Sequence, residues 1–204
     1  MEQHDRTDIT RSAVLDAACQ HLWRGDESTL RVDEIRQLTG YSTSVIYSYF
    51  RSRQGLVDAA YLEIYRQLTS DLVDVFRHAT ADAASAEDLK KFLSSGYNDL
   101  ERRTFWADRR RMRMRVATAA LSRRSMQEEF SRIHSEYMAN VTTVFAELQR
   151  RGVAGTHLSA RQIAATFEGI LLYYAINDVV ENSVDDDGWL DVMMAVVGSF
   201  PAPS

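Results

Sequence analysis

Two stretches of this chain concentrate charged side chains. Between Ser42 and Leu56 stand Arg51 and Arg53 with no acid, a cationic patch in a chain of formal net charge −5. The first sixty residues carry seven arginines and nine acids, so attraction to a polyanion would rest on a local patch rather than on net charge. The second stretch, Arg102 to Arg115, holds seven arginines against one aspartate. On a helix of about 100° per residue, Phe105, Met112, Val116 and Ala119 share a face. Arg110 and Arg111 then point away, Arg113 and Arg115 flank the stripe, and Arg109 falls inside it. An arginine in an apolar face requires a carboxylate, carbonyls or an anionic ligand. Motifs for catalysis are missing: there is no glycine-rich phosphate loop, no G-x-S-x-G, no poised Cys–His set and no metal-ligand spacing. The reading is a protein that is not an enzyme and needs neither metal nor cofactor.

The patch must be carried by an element, and the residues before it supply one. Val32, Ile35 and Leu38 recur at helical spacing, Gly40 permits a positive φ, and Ser42 is a good N-cap for a second short helix running to about Phe50. Two short helices joined by a tight glycine turn form a helix-turn-helix, whose second helix suits the DNA major groove. A preceding helix over about 8–24 packs Val14, Ala17, Ala18 and Leu22 across it. Near its start, Arg6 and Arg11 are within phosphate reach.

The run Val32…Ile35…Gly40-Tyr41-Ser42…Ile46-Tyr47-Ser48-Tyr49-Phe50-Arg51-Ser52-Arg53…Leu56 resembles the N-terminal signature of the tetracycline-repressor (TetR) family of transcriptional regulators. The motif covers residues 10–60. The resemblance implies an N-terminal three-helix DNA-binding domain, 1–54, and a C-terminal helical ligand-binding and dimerisation domain, 55–204. It implies base reading by Thr43, Ser44 and Val45, with Tyr47 and Tyr49 on backbone and bases. Arg53 falls at the family's phosphate-gripping Lys position, with Ser52 capping its helix. Ser42 and Arg31 complete the DNA-facing set. Arg31 stands where the family often has a capping Thr, so that helix start lacks its hydroxyl.

With prolines only at 201 and 203 and no sustained alternating pattern, the fold class is all-α, with about nine helices. The fourth helix runs over about 53–78, and Ala79–Ala84 reads as a loop. Ser85-Ala86-Glu87-Asp88 opens a fifth helix to about Arg103. Ser125-Met126-Gln127-Glu128 matches a capping box starting the seventh, which ends before Gly152. Ser159-Ala160-Arg161-Gln162 caps an eighth over 160–182. That helix and the ninth, with Trp189, Leu190, Val192, Met193, Val196 and Phe200, are apolar nearly all round, so they need cover. A homodimer through these last two helices supplies it, as the resemblance also implies. Asn182 to Gly188 reads as an acidic turn.

Tyr65, Trp106, Arg109, Met112, Phe130, His134, Tyr137, Phe167 and Tyr174 can line a pocket for a small effector, apolar or aromatic, with room for an anionic group. The alternatives are aromatic core packing for Tyr65, a hydrogen-bonded core role for His134, and a structural ion pair or a later helix start for Arg109. Cys19 is alone and cannot form an internal disulfide, and no apolar signal-peptide core or membrane span is present, which together fit the cytoplasm. The expected function is a ligand-responsive repressor that binds a palindromic operator in double-stranded DNA and is released by its effector. The alternative is a helical partner-binding regulator without sequence-specific DNA binding.

Overall fold

The structure is a computed structural model and describes residues 2–95, 100–181 and 185–197. Phe200, residues 182–184 of the acidic turn and the side chains of Arg6, Arg102 and Arg103 lie outside the described residues. Among the described residues are nine α-helices, one 3-10 turn and no strand. They run α1 Glu2–Arg24, the 3-10 turn Glu27–Thr29, α2 Val32–Thr39, α3 Thr43–Phe50, α4 Arg53–Ala81, α5 Ala86–Ser95, α6 Leu100–Ser122, α7 Arg124–Arg150, α8 Ala160–Asn177 and α9 Asp186–Val197. The chain is all-α, with a helix-turn-helix near its N-terminus and helices throughout the remainder. None of the described helices is long and apolar enough to cross a membrane. Contacts divide the chain into two compact units. One is Met1–Gln67 with Thr118–Phe130, and the other is Leu68–Ala117 with Ser131–Ser204.

In the first unit α1 packs on α2 and α3. Val14, Ala18 and Leu22 of α1 are buried, as are Ile35, Ile46, Phe50, Leu56, Ala60 and Ile64. Leu38 departs from the sequence reading: it is 74% exposed. The residues opposite it on α1, Ala13 and Ala17, are small, so a groove of about 390 Å³ opens there and nothing covers the leucine.

The second unit closes around Val73, Phe76, Tyr137, Val141, Phe145, Leu148, Ile163, Phe167, Tyr174, Trp189, Met193 and Val197. In both units helix ends follow local hydrogen bonding more than the sequence suggested. α4 continues to Ala81 because Arg151 donates to the Thr80 and Ala83 carbonyls, satisfying acceptors a helix end leaves open. α7 begins one residue before Ser125, whose hydroxyl donates to Asp58 Oδ2 at 2.7 Å instead of capping. The Ser159 capping box is present as read. α8 stops at Asn177 rather than Asn182: Asp178 turns onto Arg110, and the β-branched pair Val179-Val180 has a lowered helix propensity. α5 is described as Ala86–Ser95, and residues 96–99, which the expected run to about Arg103 crosses, lie outside the described residues.

Candidate functional site

Three backbone features aim α3. Gly40 takes φ 75°, closing α2 with its N–H on the Arg36 carbonyl at 2.9 Å. Ser42 then caps α3, its hydroxyl accepting from Val45 N–H at 3.3 Å and lying 2.9 Å from the Ser44 hydroxyl. At the far end Arg51 adopts φ 63°, a left-handed conformation that a non-glycine residue enters only at a cost. Ser52 caps α4 by accepting from Gly55 N–H at 3.0 Å.

The result is a short helix with two unlike faces. Ile46 and Phe50 are buried, whereas Ser44, Tyr47 and Ser48 are exposed and Thr43, Val45 and Tyr49 half-buried. Arg31 is exposed, starts α2 without a side-chain cap, and donates to the Ser28 carbonyl at 2.8 Å. Arg53 is half-buried at the start of α4. Its Nε donates to the Leu30 carbonyl at 2.8 Å and a terminal nitrogen to that of Glu27. Those donors are spent holding the segment before α2, so Arg53 is a structural tie. Arg51 is exposed beside the same helix end. Arg11 is exposed on α1, its guanidinium 5.6 Å from the Phe50 ring centre.

The nine residues offered for a pocket do not share one unit. Tyr65 and Phe130 stack within the first, ring centres 4.6 Å apart. The other seven belong to the second. There, Arg109 corrects the helical-wheel reading. It is paired with Asp71 and lies over the Phe105 ring, which is 50% exposed and packs edge-on against Trp106. The arginines that are buried are Arg110 and Arg113. Arg113 meets both Glu168 oxygens at 2.7 and 2.6 Å, and Tyr137 donates to the same carboxylate at 3.1 Å. Arg110 meets Asp178 at 2.7 and 3.1 Å and covers the Tyr174 ring at 4.1 Å, which in turn stacks on Trp189. The physical reason is on and just after α8: buried Glu168 and largely covered Asp178 require cations, and α6 presents them one turn apart. Periodicity on α6 alone could not show this; a lone acid inside the apolar run of α8 was the available signal. Met112 is buried, Phe167 packs on Phe76 and Phe145, and His134 lies half-buried 6.1 Å from Tyr137.

No family profile and no curated protein matches this chain. Solved structures do. A TetR-family transcriptional regulator of Cytophaga hutchinsonii superposes with TM-score 0.66 at 11% identity, over 94% of each chain. A candidate TetR-family regulator of Mesorhizobium loti gives 0.65 at 16%, again over 94% of each. The transcriptional regulator FadR of Bacillus subtilis, in complex with stearoyl-CoA, gives 0.55 at 13%, over 91% of this chain and 98% of that one. At such identities the likeness is one of fold. The chain has the TetR-type architecture that its N-terminal motif resembles.

Proposed function

We propose that this chain is a transcriptional regulator that binds a palindromic operator as a homodimer and loses affinity when a small effector enters the second unit. No catalytic step is part of the reading. The division of labour follows the resemblance: residues 1–54 read DNA, and residues 55–204 serve effector and partner. The carrying observation is the two-faced α3, with Ile46 and Phe50 anchored in the core and Ser44, Tyr47 and Ser48 turned outward behind a capped N-terminus. Such a helix can enter a major groove without unfolding anything. Thr43, Ser44 and Val45 at the start of α3 read bases, Tyr47 and Tyr49 further along it meet backbone and bases, and Arg11, Arg31 and Arg51 are exposed cations of the same unit; Arg53 serves from within.

Dimerisation is supported by a band of exposed apolar side chains, Tyr173 and Ile176 on α8, Val179 and Val180 after it, and Val192 on α9. The effector reading is supported by the aromatic-rich core of the second unit and by the likeness to FadR, whose structure is in complex with stearoyl-CoA. For this chain an apolar molecule with an anionic group fits that chemistry. Arg110 and Arg113 could receive its charge by exchanging their carboxylates. The test is binding of purified protein to DNA upstream of its own gene across a salt series. The reading requires saturable binding that weakens with salt and drops when Ser44 and Tyr47 are both replaced by Ala. Absence of any bound fragment at low salt would refute it.

A further inference from the structure

A second arginine junction lies inside the first unit, between residues 65 and 96 positions apart in sequence. Arg123, in the corner joining α6 to α7, donates from NH1 to Asp58 Oδ1 at 3.0 Å and from NH2 to the Glu27 carboxylate. Asp58 is buried and also accepts from Ser125 Oγ at 2.7 Å and from Gln54 Nε2 at 2.8 Å. The Tyr61 ring lies beneath the guanidinium, 5.9 Å from its centre. The hydrogen bonds it donates to Glu27, and then to Asp58, hold the Arg123 pKa above its ordinary value. The second Glu27 oxygen is buried without a hydrogen-bond partner among the described residues, so Arg123 is what neutralises this carboxylate.

Glu27 begins the 3-10 turn that leads into α2, and its carbonyl receives Arg53. Leu30, whose carbonyl receives the Arg53 Nε, is fully buried. Arg123 therefore grips the side chain of the residue whose backbone Arg53 grips. We propose that Arg123 is a positioning residue for the DNA-reading helix: the α6–α7 corner fixes the 3-10 turn, and through it the approach of α2 and α3. The proposal rests on the reading of α3 as a DNA-binding element. A guanidinium suits the task because its rigid planar fork holds donors toward two carboxylates in fixed geometry, whereas a lysine offers one rotatable ammonium. The same unit supplies a comparison. Arg66 joins Glu63 and Glu129, tying α4 to α7.

The experiment uses the full chain as wild type and as R123Q, R123K, E27Q and R66Q, each checked for helix content. Two readouts are taken: affinity for the upstream DNA, and hydrogen exchange of peptides spanning 26–39. Expected for R123Q are an affinity loss of about tenfold and exchange in 26–39 faster by a similar factor. E27Q should move both readouts the same way, R123K should fall between wild type and R123Q, and R66Q should match wild type. The idea is overturned if R123Q and E27Q exchange and bind like wild type, or if R66Q produces the same losses. Should R123Q fail to fold, E27Q decides alone. Wild-type protein that binds no upstream DNA would sink the functional reading. Wild-type binding undiminished in the variants would sink only the positioning role.

Discussion

Cys19 sits on the buried face of α1 with its Sγ 3.5 Å from the Ala60 carbonyl oxygen. Burial, and then the charges of Glu63 and Asp16, push its thiol from 9.0 up to about 12. The neutral thiol is therefore held in the native state, and a thiol reagent should modify Cys19 only after unfolding. A native-state reaction as fast as that of the denatured chain would contradict this. The sign of the linkage follows. The folded pKa lies above the unfolded one, so the thiol's contribution is complete below pH 9.0 and is lost as pH rises toward about 12. The stability advantage of wild type over Cys19→Ala should shrink across that window in parallel melts. Its core position was legible from its neighbours Ala17, Ala18 and Leu22. The partners of Glu168 were not, because an ion pair between α6 and α8 joins residues 55 positions apart and leaves no periodic trace. Arg113 and Glu168 expose only 6% and 8% of their side chains. Glu168→Ala strands a buried cation and should cost about 3–5 kcal/mol, seen as a lowered thermal midpoint. Replacing Arg113 by Met, Glu168 by Leu and Tyr137 by Phe together should recover most of that loss.

Among the elements, the helix-turn-helix was the most legible because its signals are local. Gly40 for a left-handed cap, Ser42 for an N-cap and apolar spacing all act within a few residues. α6 was the least legible. Asp71, Asp178 and Glu168 draw Arg109, Arg110 and Arg113 to different sides, so no single apolar stripe describes this helix. Gly55 belongs with the local signals yet escaped notice, since its φ is unremarkable and its reason is steric. A Cβ built there falls 2.1 Å from the Phe50 carbonyl oxygen, an approach only glycine allows. Because the obstacle is backbone, Gly55→Ala can be accommodated only by moving the end of α3 away from the start of α4. The expected cost is about 1–3 kcal/mol. On the proposed reading, DNA affinity should fall further than the shift in melting temperature accounts for. An alanine variant that melts and binds like wild type would show that the junction is softer than its geometry indicates.

At the scale of the molecule, affinity for a palindrome depends on presenting two reading helices together. A chain of net charge −5 has little general attraction for DNA to fall back on. The exposed apolar band gives a handle on this. Val179 is 71% exposed, and Val192 lies outward on α9, so replacing both by Asp adds charge without opening the core. If the band is where two copies meet, the carboxylates would be buried there unpaired. The double variant should then sediment as a monomer at concentrations where wild type is a dimer, with unchanged helix content. Its operator affinity should drop by about a hundredfold, because the second half-site no longer binds as an intramolecular event. Binding to a single half-site should stay near the wild-type level, which distinguishes loss of pairing from damage to α3. A double variant that remains dimeric would place the interface elsewhere on the chain. One that becomes monomeric while keeping full affinity for the palindrome would refute the link between pairing and recognition.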